Sequence, residues 1–130
     1  MGGLTLTRLG NVLRSAIVAR IVYSDIALKD LEEIGDYISE ILMNPKAALN
    51  TVNKIQDAVD KLADFPLIGS PLSSIVKAET DYRFLVCGNY LVFYRPQLNS
   101  VCIDRILYGR RNYMVILFGE TSEDSFEPVE

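Results

Sequence analysis

The chain contains no histidine. Acid–base chemistry would therefore fall to Tyr, Lys, Arg, Asp, Glu or Cys. The residues able to take it on concentrate in one stretch. Residues 75–118 hold Lys77, Arg83, Arg95, Arg105, Arg110 and Arg111 against Glu79, Asp81 and Asp104, with Tyr82, Tyr108 and Tyr113 among them. Arginine suits a phosphate clamp, because its guanidinium is planar, forked and always charged. The two cysteines, Cys87 and Cys102, form no CxxC pair, and no zinc ligand set is available. They read as reduced, buried thiols of a cytosolic protein, although spacing alone leaves a disulfide open. There is no Gly-rich phosphate loop, no GxSxG and no HExxH.

The net charge of −4 argues against nonspecific nucleic-acid binding. Its distribution is uneven. Residues 1–22 carry Arg8, Arg14 and Arg20 without an acid, and residues 23–64 carry four lysines against nine acids. An acidic protein thus has a locally basic C-terminal half, which keeps a basic site in play. A length of 130 residues is one domain's worth, enough to bury a core without disulfides or metals. No apolar run reaches the ~18–20 residues that span a bilayer, so no membrane partner is expected and the cytoplasm is the expected location.

The elements that must position these residues follow from hydrophobic spacing. Residues 1–16 read as an N-terminal extension: Leu6, Leu9, Leu13 and Ile17 recur at helical spacing with arginines between them. That pattern fits either an appendage or an amphipathic segment that packs on a partner or membrane surface. Ala16 to Tyr23, rich in Ile and Val, predicts a strand. Ser24 or Asp25 offers a helix N-cap. Ala27, Leu31, Ile34, Ile38 and Ile41 follow at steps of four and three, an amphipathic helix whose acids Asp30, Glu32, Glu33, Asp36 and Glu40 are mainly solvated. Asn44-Pro45 restarts the pattern, and Ala48, Val52, Ile55, Val59 and Leu62 repeat it. So short a turn predicts an antiparallel helical hairpin.

Phe65 to Pro71, FPLIGSP, marks a loop, and Leu72 to Asp81 an irregular crossing. Strands are expected at Tyr82–Cys87, Tyr90–Arg95 and Val101–Tyr108, the first two joined by a Gly88-Asn89 turn in which both residues tolerate positive φ. Arg110–Phe118 fits a short helix or an extended tail. The acidic end, residues 119–130, has five acids and no base and reads as disordered. The expected fold class is α+β, order β-α-α-β-β-β, with a helical hairpin packed on a small, mainly antiparallel sheet over residues 17–118.

Four patches in this order resemble the RelE/ParE toxins of type II toxin–antitoxin systems, the plasmid stabilisation family. They are IVYSDIALKDLEEIGDYI, NPKAALNTVNKIQDAVDKLADFPLIGSPL, CGNYLVFYR and IDRILYGRRNY, together spanning about residues 18–118. The resemblance implies a growth-inhibiting toxin neutralised by a cognate antitoxin, with no cofactor and no metal. It also implies one of two activities. ParE-like members bind DNA gyrase and are not nucleases. RelE-like members are mRNA endoribonucleases that act on the translating ribosome.

Metal-free RNA cleavage needs a base for the 2′-hydroxyl, positive charge at the phosphate and an acid for the leaving oxygen. On the nuclease reading the catalytic candidates are Arg83, Arg110, Arg111 and Tyr113. On the ParE-like reading Arg105, Tyr108 and Arg111, in RILYGRR, contact the target. The pattern departs from the nucleases at one place. Where they carry an arginine after the tyrosine of the central strand, this chain has Leu91 after Tyr90. A leucine holds no phosphate, so the ParE-like reading is favoured. A third reading is an inactive homologue that only binds an antitoxin.

Overall fold

The computed structural model describes residues 19–77 and 79–119. The expected extension, residues 1–16, lies outside them, as does the acidic tail beyond Gly119. Strand β1 (Arg20–Tyr23) starts four residues later than the apolar run suggested. Ser24 then caps helix α1 (Asp25–Asp36): its Oγ accepts from the Ala27 amide at 2.9 Å, satisfying one of the orphan donors of the first turn.

Helix α1 buries Ala27, Leu31 and Ile34 as its spacing requires. The pattern then fails for a physical reason. Tyr37–Ile41 forms a π-helical turn, closed by the Leu42 amide on the Tyr37 carbonyl at 3.1 Å. The wider turn keeps Ile38 inside but rotates Ile41 off the stripe, leaving it 67% exposed. Met43 follows in the left-handed region, φ +56°. Asn44 caps helix α2 (Pro45–Asp60) by accepting from the Ala47 amide at 3.1 Å, with Pro45 in the first turn. Ile55, Val59 and Leu62, the last in a 3₁₀ turn (Lys61–Ala63), are fully buried. Such a side chain contributes about 1.5–3 kcal/mol.

Among the described residues the sheet has five strands in the order β1-β5-β4-β3-β2. They are β2 (Ser70–Pro71), β3 (Arg83–Cys87), β4 (Tyr90–Pro96) and β5 (Ser100–Tyr108) besides β1. Only β1 and β5 pair in parallel; the rest is antiparallel. The expected α+β fold is therefore present, with one addition. The end of the FPLIGSP segment, read as a loop, supplies a two-residue edge strand. In the β3–β4 turn Gly88 alone takes a positive φ, +60°, whereas both turn residues were expected to be free to do so. Cys87 and Cys102 are free thiols, half-buried rather than buried.

Each face of the sheet has its own cover. The helical hairpin packs over Val92, Tyr94, Val101, Ile103 and Ile106. The opposite face carries Phe93 and Leu107, covered by Leu72 and by helix α3 (Tyr113–Phe118), which settles the last segment as a helix. Leu91 packs into this second layer.

The crossing from α2 to β2 passes close to the core at Gly69. The Gly69 amide donates to the buried Tyr94 hydroxyl at 3.0 Å. A Cβ on Gly69 would lie 2.5 Å from the Phe84 carbonyl oxygen and 2.6 Å from that hydroxyl. Neither can retreat, one being backbone and the other wedged in the core. Gly69→Ala is expected to cost about 1–3 kcal/mol, the range for overpacking. Urea denaturation should show a lower midpoint at unchanged slope. Ser70→Ala, at an exposed neighbour, should leave the midpoint within error.

Candidate functional site

Strand β1 ends at Tyr23, opposite Ile103, so β5 continues five residues past its parallel neighbour. Its backbone on that side needs other partners. Helix α1 supplies them. The Ser24 amide donates to the Ile103 carbonyl at 2.9 Å, and the Ser24 Oγ to the Asp104 carbonyl at 2.9 Å. Asp30 closes the series. Its Oδ2 accepts from the Ile106 amide at 2.9 Å and from Arg105 Nε at 2.8 Å, and its Oδ1 accepts from Arg105 Nη2 at 2.9 Å.

Asp30, expected among the solvated acids of the helix, is thus buried. The signal was legible: it stands three residues after Ala27 and four before Ile34, on the apolar stripe itself. Bidentate pairing holds the Arg105 guanidinium even more firmly charged than usual. A bulge helps place it. Phe93 pairs with Arg105 but Tyr94 with Ile103, so Asp104 is the extra residue on β5.

Beyond Asp30, α1 and the far end of β5 diverge and leave a groove of about 570 Å³. Ile34, Ile106 and Leu107 contribute apolar surface, and Glu33, Tyr37, Tyr90, Tyr108 and Arg111 add polar groups. Tyr90 and Tyr108 meet edge-to-face at 5.8 Å. Burial, then the nearby Tyr108 and Tyr37, pushes the Tyr90 phenol up. Gly109 lets the chain turn here: its amide donates to the Asn89 carbonyl at 2.8 Å, and a Cβ would crowd that oxygen at 3.3 Å. The Arg111 amide then closes on the Tyr108 carbonyl at 3.0 Å, aiming the Gly109–Arg111 turn beside the groove.

The residues singled out from sequence therefore separate. Tyr108 and Arg111 line the groove, and Arg110 is exposed on the same turn. Arg105 lies behind the groove wall, held by Asp30. Arg83 is at the other end of the sheet, roughly 15 Å away along the strands. There its Nε and Nη2 donate to the Gly69 carbonyl at 3.1 and 2.7 Å, and Nη2 also to the Leu67 carbonyl at 3.0 Å. Tyr113 begins α3 on the opposite face, its ring 5.3 Å from that of Phe93. Burial pushes its phenol up. Tyr82 meets Phe118 edge-to-face at 5.7 Å and carries the Arg95 guanidinium over its ring at 5.3 Å, and burial plus a hydrogen bond to Asp104 pushes its phenol up to about 12. Arg95 reaches Asp104 at 3.0 Å as an ion pair without hydrogen-bond alignment. Sequence reasoning missed Glu33, Tyr37, Asn89 and Tyr90 as groove residues. Glu33 and Tyr37 share one helix face, four residues apart, and that spacing was their available signal.

Among the described residues no cluster of three or more His, Cys, Asp or Glu could hold a metal, and no helix is long and apolar enough to cross a membrane. Asp30→Ala is expected to cost about 3–5 kcal/mol, because it strands a partly buried guanidinium and a backbone amide. Calorimetry should show the loss. Glu33→Gln, one turn along on the exposed side, should change stability by less than about 0.5 kcal/mol.

Three comparisons bear on what this architecture belongs to. No curated protein sequence matches the chain. Among solved structures, one described as the chromosomal ParDE TA system from P. aeruginosa superposes with a TM-score of 0.58 at 22% identity, covering 70% of this chain and 96% of that one. A second, the E. coli DinJ-YafQ toxin-antitoxin complex, gives 0.48 at 18% identity over 79% of this chain and 100% of the other. The first likeness supports the fold. The family model for the ParE toxin of the type II toxin-antitoxin system parDE matches residues 21–113, from β1 to the start of α3. The chain belongs to the ParE toxin family of type II toxin–antitoxin systems.

Proposed function

We propose that this toxin inhibits growth by binding a target, with DNA gyrase as the target class, rather than by cutting RNA. The contact is made through Tyr108 and Arg111 at the groove beside the open end of β5. A cognate antitoxin neutralises it by covering the same groove. The observation that carries this reading is the dispersal of the cations. Arg105 is bound to Asp30, Arg83 to the carbonyls of Gly69 and Leu67, and Leu91 lies in an apolar layer under α3. A nuclease needs base, phosphate clamp and acid around one scissile bond. Here Arg83, Arg111 and Tyr113 lie at two ends and two faces of the sheet. The phenols of Tyr82, Tyr90 and Tyr113 are all shifted upward, which suits contact surfaces better than bases.

The groove suits recognition of protein. Its aromatic rings offer area at low entropy cost, and Arg111 offers a forked cation. Among the described residues no strand pairs with β5 beyond Ile103 on the β1 side, but the Ile106 amide is taken by Asp30 and the Tyr108 carbonyl by the Arg111 amide, so a partner would be read through the side chains of the groove.

The Tyr108→Ala, Arg111→Ala double variant should fold normally and lose growth inhibition. Purified wild-type toxin should block gyrase supercoiling in vitro, and the double variant should need at least about tenfold more protein, a loss of ~1.4 kcal/mol. If the toxin leaves gyrase untouched while ribosome-bound messages are cut, and Arg110→Ala or Arg111→Ala prevents the cutting, the nuclease reading replaces this one. No growth defect on expression would leave an antitoxin-binding module.

A further inference from the structure

The groove carries one open charge of each sign. Asp30, Glu33 and Arg111 are the charged residues that line it. Asp30 is already occupied, its oxygens taken by Arg105 and the Ile106 amide. Glu33 is not. Among the described residues it is in no hydrogen bond or ion pair, and Lys29, one turn back on α1, does not reach it. Its carboxylate is open to solvent yet turned to the groove, and its field falls on Arg105, whose fork Asp30 holds. Arg111 stands on the turn after β5, and among the described residues its guanidinium is in no hydrogen bond or ion pair either.

Three phenol rings gather in the same groove. Tyr37 follows Glu33 by four residues, on the same helix face, and is half-exposed. Tyr90 meets Tyr108 edge-to-face at 5.8 Å and lies close enough to Tyr37 for the two phenols to influence one another. A carboxylate without a partner, beside aromatic rings, attracts a cation through its charge and through the ring quadrupole. A guanidinium suits both better than an ammonium does. Its plane stacks on a ring and its fork matches a carboxylate. Arg111 does not fill this place, because it is not within ion-pair distance of Glu33.

We propose that Glu33, with the Tyr37 and Tyr90 rings, forms a subsite for an arginine side chain of the protein partner that covers the groove, while Arg111 receives an acid of the same partner. This rests on the groove being a protein-binding surface, and it adds what that surface selects. Glu33 discriminates between partners: a segment with no basic group at this place leaves the carboxylate desolvated and unpaired.

Titration of the full chain with N-acetylarginine methylamide, followed by proton–nitrogen correlation NMR, tests the subsite without a growth or gyrase assay. Amides of residues 33–37 and 89–91 should shift saturably. The neutral isostere N-acetylcitrulline methylamide should leave them in place. Glu33→Gln should weaken binding about fivefold. Tyr37→Leu, which keeps apolar bulk and removes the ring, should weaken it about threefold. Arg111→Gln should tighten it about twofold by removing a like charge. Unchanged dispersion of the remaining spectrum shows that each variant is folded.

An equal response to the citrulline compound overturns the proposal. So does undiminished binding to Glu33→Gln, or shifts of equal size around the exposed acids Asp57 and Asp60, which reduce arginine to a counterion. Absence of a saturable shift, with gyrase still blocked by the toxin, removes the subsite alone. A toxin that leaves gyrase untouched while the titration holds removes the target and keeps the subsite.

Discussion

Asp30 is a carboxylate on the apolar stripe of an amphipathic helix, and burying it alone would cost several kcal/mol. Three donors make the position tenable: two from Arg105 and one from the Ile106 backbone. The tie does more than neutralise a charge. It joins the first helix to the last strand, 75 residues on, where the sheet has run out of neighbouring strands. Ser24 begins the same seam nearly two turns earlier. The wall of the groove is therefore a polar seam that replaces a missing strand, and the groove opens where that seam ends.

The opposite end of the sheet is organised by a parallel device. Arg83 and the Tyr94 hydroxyl hold the loop that crosses beneath the strands, and Gly69 is the only residue type that fits between them. Two of the arginines that looked available for chemistry are thus committed to architecture. Their charge is used on a carboxylate in one case and on backbone carbonyls in the other. What remains open near the groove is Arg110 and Arg111, on a turn shaped by Gly109. The exposed arginines beside the groove are accordingly found at a strand end and the turn after it.

Much of the fold was legible because it rests on local rules. Ser24 and Asn44 cap their helices by the geometry their side chains prefer, and the steps of three and four identified the buried faces. Those rules failed where a local choice depended on distant contacts. Ile41 left the stripe because the helix widened into a π turn. Ser70–Pro71 became a strand only because β3 lay beside it, and two residues carry too little pattern to announce that.

The sequence by itself determined the family, the helical hairpin on a mainly antiparallel sheet and the identity of the basic residues, since periodicity, capping and motif order are properties of neighbours along the chain. It could not distribute those residues over the surface. Arg83, Arg105, Arg111 and Tyr113 lie within 31 residues of one another, yet strand reversal sends them to opposite ends and faces. Only the tertiary structure decided that Asp30 captures Arg105, that Arg83 secures a loop, and that Tyr108 and Arg111 share a groove. A side chain's partner is set by what folding brings across from it, and in a sheet that partner is usually far away in sequence.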